Sequence, residues 1–149
     1  MKKFVFSLSQ VLNFEVNDKR QMMNRLIALD VEILSAKEGV ARLDAALNEE
    51  TTKLFDSGKP LKVIFLNDYL QYKAAVEKKM SQYNLKIARL NEQREELRAL
   101  IIDSEKRIDM LDKLKEKRFS EYTAELLKEE ERKIQETVET RYIIKQNGM

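Results

Sequence analysis

Residues 22–47 read MMNRLIALDVEILSAKEGVARLDAAL. Apolar side chains recur in it by alternating steps of four and three: Met22, Leu26, Leu29, Ile33, Ala36, Val40, Leu43 and Leu47. On a helix this spacing keeps one narrow apolar stripe in line. It fits a heptad with Leu26, Ile33, Val40 and Leu47 at position a, and Met22, Leu29, Ala36 and Leu43 at d. β-Branched and leucine side chains on such a seam are what knobs-into-holes packing uses, so the stretch predicts one arm of a coiled coil. Gly39 inside it costs about 1 kcal/mol relative to alanine, which tertiary contacts can offset. Upstream the same frame puts polar residues on the seam, Glu15 at d and Lys19 at a.

A second arm follows. From Tyr69 the heptad resumes with Tyr69, Val76, Tyr83, Leu90, Leu97 and Leu111 at d, and Met80, Ile87, Ile101 and Ile108 at a. Between the arms FDSGKP, residues 55–60, is the one strong breaker: Gly58 suits a helix C-terminus, and Pro60 cannot continue the helix. The apolar stretch LKVIFLNDYLQY after it fits either a first helical turn or a structured tip. No Gly or Pro then interrupts until Gly148.

The expected architecture is all-α: a single elongated domain over 1–149, built as a two-helix antiparallel coiled-coil hairpin. An extended segment covers 1–6, the first helix 7–56, a tip turn 57–60 and the second helix 61–145. The longer second helix overhangs at the chain-terminal end. A turn at Gly58 sets Glu15 near Ile102 and exhausts the first arm when the second reaches about Ile108. Beyond that point the heptad frame falls on Lys115, Arg118 and Glu125, with only Tyr122 apolar. Residues 119–149 have a spacing of their own, Leu127, Ile134, Val138 and Tyr142, on a charged background. A lone helix of that kind seldom stays ordered in water, so the arm either frays or is bound by a partner.

Composition narrows the function. Of 149 residues 36% are charged, while Gly numbers three and Pro one, which favours long helices over sheets. The net charge of +2, from 28 basic and 26 acidic residues, is too small to imply a polyanion partner. The chain has no Cys and no His. It therefore offers no disulfide, no thiol chemistry, no usual zinc ligands and no imidazole base, and no metal or cofactor is expected.

No apolar run approaches the roughly 20 residues that span a bilayer, and Lys2 and Lys3 are not followed by the apolar core of a secretory signal. A soluble, cytoplasmic protein is expected. Acidic pairs such as Glu95 and Glu96, and the run Glu129 to Glu131, read as solvated helix surface. A general acid needs a concave, dry site that a two-helix hairpin lacks, and the GKP at Gly58 has neither the strand nor the further glycines of a phosphate loop. The chain is read as no enzyme. The basic cluster Lys113, Lys115, Lys117 and Arg118 is diluted by Asp112 and Glu116, so nucleic acid is not an expected partner; such binding would fall steeply with salt.

Two places stand apart from the seam. The first is FVFSLSQVL, residues 4–12, where Phe4, Phe6 and Leu8 alternate before the spacing turns helical at Val11 and Leu12. Ser7 with Gln10 forms a capping-box pattern, which starts the helix there and leaves Phe6 placed to staple onto Val11. Phe4 has no evident partner within the chain. The second is the aromatic group Phe55, Phe65, Tyr69 and Tyr72, which either closes the hairpin core at its tip or anchors a protein contact. Tyr72 falls on position g, beside the seam.

At the N-terminal run the sequence resembles the FliJ family of the bacterial flagellar type III export apparatus. The family's Lys-Phe-x-Phe-x-Leu-x-x-Val-Leu pattern is matched by Lys3, Phe4, Phe6, Leu8, Val11 and Leu12. The outline agrees along the chain, with two long helices, a Gly-containing tip followed by aromatics, and a charged C-terminal arm. The resemblance implies a coiled coil similar to the central-stalk subunit of rotary ATPases. Such a protein binds and regulates the hexameric export ATPase and bridges it to the cytoplasmic domain of the export gate membrane protein; family members are also linked to export chaperones. It implies a cytoplasmic protein associated with the membrane export apparatus only through partners. The candidate ATPase-facing residues are Phe4, Phe6, Leu8, Leu12, Ile134, Val138, Arg141 and Tyr142. The candidate gate-facing residues are Tyr72, Val76, Lys79 and Tyr83, of which Val76 and Tyr83 fall on d positions. The alternative is a coiled-coil scaffold or export chaperone acting through its apolar stripe.

Overall fold

The computed structural model describes residues 2–56, 58, 60 and 62–148. Two helices make up nearly all of it, α1 (Ser9–Phe55, 47 residues) and α2 (Val63–Asn147, 85 residues). They pack against each other as an all-α hairpin, with no strand among the described residues. α1 ends at Phe55, just before the breaker at Gly58 and Pro60. Gly58 then takes φ +64°, the left-handed backbone that an L side chain adopts only at a cost. The helices leave 56–62 between them, a wider connection than the expected 57–60; Ser57, Lys59 and Leu61 lie outside the described residues. The apolar stretch after Pro60 resolves as helix from Val63, with Leu66 N donating to Lys62 O at 3.1 Å.

The chain divides into two compact units, residues 20–102 and residues 1–19 with 103–149. In the 20–102 unit the heptad holds from Met22 to Leu47 and from Tyr69 to Ile101. Leu29, Ile33 and Ala36 of α1 are buried, as are Val76, Leu90 and Ile101 of α2. The remaining a and d residues, from Met22 to Leu47 and from Tyr69 to Leu97, are half-buried. Leu29, Ile33 and Leu90 form the tightest cluster, with Leu97 packed on it. Gly39 has a purpose here: a Cβ at that position would lie 3.0 Å from Cζ of Tyr83, so the missing side chain makes room for the ring.

The register follows from the facing pairs. Tyr69 hydroxyl meets Thr51 Oγ1 at 2.6 Å, Tyr83 covers Gly39, and Arg94 Nε lies 2.9 Å from Asp30 Oδ1. The position numbers of these pairs add to 120, 122 and 124, which centres the turn near residue 61 rather than at Gly58.

The other unit keeps that register. Lys19 pairs with Glu105 at 3.4 Å, and Arg107 Nε donates to Glu15 Oε1 at 3.2 Å. Glu15 therefore faces Arg107, five positions beyond the expected Ile102, because the connection is longer than the turn read at Gly58. The same shift lengthens the paired region. α1 is not exhausted at Ile108; Leu12 is buried, and the segment before α1 continues the pairing as far as Tyr122.

The seam on α2 also departs from a strict heptad here. After Leu111 the half-buried residues are Leu114, Arg118, Tyr122, Leu126 and Glu129, while the expected Lys115 and Glu125 are exposed. Three successive steps of four, Leu114 to Arg118 to Tyr122 to Leu126, replace the heptad's alternation of four and three, which relaxes its left-handed supercoil. The physical reason is plain: stepping one residue back at 114 and one residue forward at 126 half-buries two leucines and leaves Lys115 and Glu125 in water. Beyond Glu129 every described residue to 148 is exposed, so among the described residues the C-terminal arm of α2 has no packing partner.

Candidate functional site

The N-terminal run folds back on α2 as a clasp. Phe6 is buried at 4% exposure, and the Arg118 guanidinium lies 5.8 Å from its ring centroid. Arg118 Nη1 also donates to Ser7 Oγ at 2.7 Å. Ser7 is thus engaged across the hairpin, and α1 begins at Ser9, whose N donates to Phe6 O at 3.1 Å, rather than at residue 7. Val11 stays largely exposed, so the expected staple gives way to a contact with α2.

Phe4 does have a partner. Its ring meets Phe119 edge-on, with centroids 5.2 Å apart, and tilts against Tyr122 at 5.6 Å. Tyr122 hydroxyl donates to Lys2 O at 2.8 Å and ties the strand-like segment down. Aromatic pairs of this geometry add about 0.5–1.5 kcal/mol beyond the area they bury. Sequence reasoning missed Phe119, although Phe119 and Tyr122, three residues apart on a helix, offered the signal. Arg118 was read as part of a basic cluster, and its role is in the clasp.

Four of the expected ATPase-facing residues therefore belong to the fold's own packing. Phe6 and Leu12 are buried, and Phe4 and Leu8 are half-buried. The other four, Ile134, Val138, Arg141 and Tyr142, are all exposed on the unpaired arm. Ile134, Val138 and Tyr142 follow one another at four-residue steps, with Leu127 two turns before Ile134, so the arm presents an uncovered apolar stripe.

The tip is a second candidate surface. Thr51 Oγ1 donates to Leu47 O at 2.8 Å, so Tyr69 is the donor of its hydrogen bond to Thr51. Phe55 packs edge-on against Tyr69 with centroids 6.0 Å apart. An open groove of about 550 Å³ lies beside them, lined by Glu50, Lys53, Leu54, Phe65, Asp68, Tyr69 and Tyr72. Val63, Ile64, Phe65 and Leu70 are exposed around it. Of the expected gate-facing residues, Tyr72 at 39% exposure and Lys79 are accessible. Val76 is buried at 6% and Tyr83 lies over Gly39, so the structure brings these two into the seam and not to the surface.

Among the described residues no group of three or more acidic side chains is gathered as a metal site would need, and no helix is long and apolar enough to cross a membrane. The cross-helix ion pairs are partly or wholly exposed and contribute little each, about 0–1 kcal/mol. They fix register more than they add stability. Neither a family model, nor a characterised protein, nor a solved structure matches the chain.

Proposed function

We propose that this chain is a non-enzymatic, stalk-like component of a bacterial flagellar protein export apparatus, similar to the FliJ family. In this reading it binds and regulates the hexameric export ATPase through the C-terminal arm and bridges it to the export gate through the tip. The carrying observation is the run Lys3, Phe4, Phe6, Leu8, Val11 and Leu12, which matches the family pattern. Two further features favour it: the chain is a two-helix hairpin, as a central stalk is, and its arm leaves Ile134, Val138 and Tyr142 uncovered. The packing narrows the contact residues. Ile134, Val138, Arg141 and Tyr142 face the ATPase, while Phe4, Phe6, Leu8 and Leu12 secure the clasp; Tyr72 and Lys79 face the gate. The protein then works in the cytoplasm and reaches the membrane only through its partners, with export chaperones as further partners.

The test is reconstitution with a hexameric flagellar export ATPase. Wild-type chain is expected to stimulate hydrolysis and hexamer assembly, and truncation after Thr123 is expected to abolish both while the remaining hairpin keeps its helicity. Equal stimulation by wild-type and truncated chains would defeat the reading. Tyr72→Ala is expected to weaken binding to the gate's cytoplasmic domain without loss of thermal stability.

A further inference from the structure

The unpaired arm carries a heptad of its own, offset from the hairpin seam. Leu127, Ile134 and Arg141 take position d, and Glu131, Val138 and Lys145 take position a. All six are exposed. The frame is rotated by one residue from the hairpin's, which uses Leu126 and not Leu127, so pairing of the arm would not compete with the intramolecular seam.

We propose that this arm is a self-complementary surface whose partner is the arm of a second copy, running antiparallel. The argument is charge complementarity across the layers. In an antiparallel pair, a positions stack on d positions of the partner. Ile134 then packs on Val138 of the second copy twice, at the centre. Glu131 meets Arg141 of the second copy on either side, and the outermost layers set the Lys145 stem on Leu127. The flanking positions bring Lys128 near Tyr142, Glu130 near Ile144, and Gln135 and Thr137 each near their own copies. No like charges face one another in this arrangement.

The parallel, in-register pair is the opposite case. It stacks Glu131 on Glu131, Arg141 on Arg141 and Lys145 on Lys145, three like-charged layers around two apolar ones. Like charges facing each other select against an orientation as firmly as opposite charges select for one. The arm thus specifies both its partner and its direction. The contact is short, a few layers, so the dimer is weak and concentration-dependent. This inference uses only the arm's own residues; the dimer covers Ile134, Val138 and Arg141, so dimerisation and the ATPase contact proposed above exclude each other, and the dimer is the state of the chain free of that partner.

The experiment is sedimentation equilibrium of the full chain from micromolar to millimolar concentration. Wild type is expected to pass from monomer to dimer. Glu131→Arg is expected to raise the dissociation constant at least about tenfold, since it replaces two opposite-charge layers by two like-charge layers. The double variant Glu131→Arg with Arg141→Glu is expected to restore association. Because the chain has no cysteine, orientation is read separately. Oxidising an equimolar mixture of Glu131→Cys and Arg141→Cys chains is expected to give mixed disulfides, with little cross-linking of either variant alone. A wild type that stays monomeric, a dimer indifferent to Glu131→Arg, a double variant that fails to reassociate, or 131-to-131 disulfides would each overturn the proposal. Unchanged helicity of every variant by circular dichroism excludes misfolding as the cause.

Discussion

Gly39 invites a substitution whose sign depends on its neighbour. In an isolated helix Gly→Ala stabilises by about 1 kcal/mol, because glycine loses more backbone freedom on folding. At position 39 the added Cβ would lie 3.0 Å from Cζ, 3.1 Å from Cε1 and 3.3 Å from Cε2 of Tyr83. Three ring atoms at that range form a flat wall, so the half-buried ring must give by a few tenths of an ångström to admit the Cβ. Overpacking of this kind costs about 1–3 kcal/mol. Taking the middle of that range, Gly39→Ala is expected to destabilise the chain by about 1 kcal/mol. With Tyr83→Ala already present the wall is gone, and the same change is expected to stabilise by about 1 kcal/mol. The coupling between the two sites is then about 2 kcal/mol, well above the scatter expected of independent positions. Urea denaturation of the four chains, followed by far-UV circular dichroism, measures it. If Gly39→Ala stabilises equally in both backgrounds, the reasoning about the ring over the glycine is wrong.

Other outcomes follow from single residues. Ser104 is fully buried at a d position with no partner for its Oγ, so Ser104→Ala is expected to stabilise by about 1 kcal/mol in the same urea assay. Glu15 also sits on the seam, its side chain only 15% exposed and its Oε2 unpaired; Glu15→Leu is expected to raise stability by about 1–2 kcal/mol in thermal melts despite losing the Arg107 contact. Phe4→Ala empties the pocket between Phe119 and Tyr122, at a cost of about 1–3 kcal/mol. Because that loss is confined to the clasp, hydrogen exchange is expected to rise at the start of α1 and to stay unchanged around Leu29 and Leu90.

How much of this was legible in the sequence differs from place to place. The seam from Met22 to Leu47 and from Tyr69 to Ile108 was readable because each buried residue repeats a spacing that only a helix with a helical partner explains. The register was not. Heptad spacing says which side chains face inward but is silent on the length of the connection, and the apolar stretch after Pro60 fits helix and tip equally. Five positions of error at Glu15 came from that one ambiguity. The drift after Leu111 was missed because the frame was carried forward past the point where Leu114 became a better seam residue than Lys115. The clasp was out of reach for a different reason: Phe4 lies in an extended segment with no period, and its partner Phe119 is more than a hundred residues away. For the candidate surfaces, pattern could place Ile134 and Val138 on one face. It could not say that Phe6 and Leu12, in the same recognisable run, would be spent on packing.

The constancy of the facing pairs bears on how the chain tolerates insertions and deletions. An added residue within either helix rotates everything beyond it by about 100°, turning seam residues out to water, unless seven are added together. Even then the two helices must change in concert, or Glu15 loses Arg107 and Phe4 loses Phe119. The described residues between Phe55 and Val63 lie outside both helices, so no such arithmetic applies to them. An insertion along the helices must therefore preserve helical phase on both arms, whereas one in the connection need not, so the connection is the place to graft a peptide without disturbing the helix pairing.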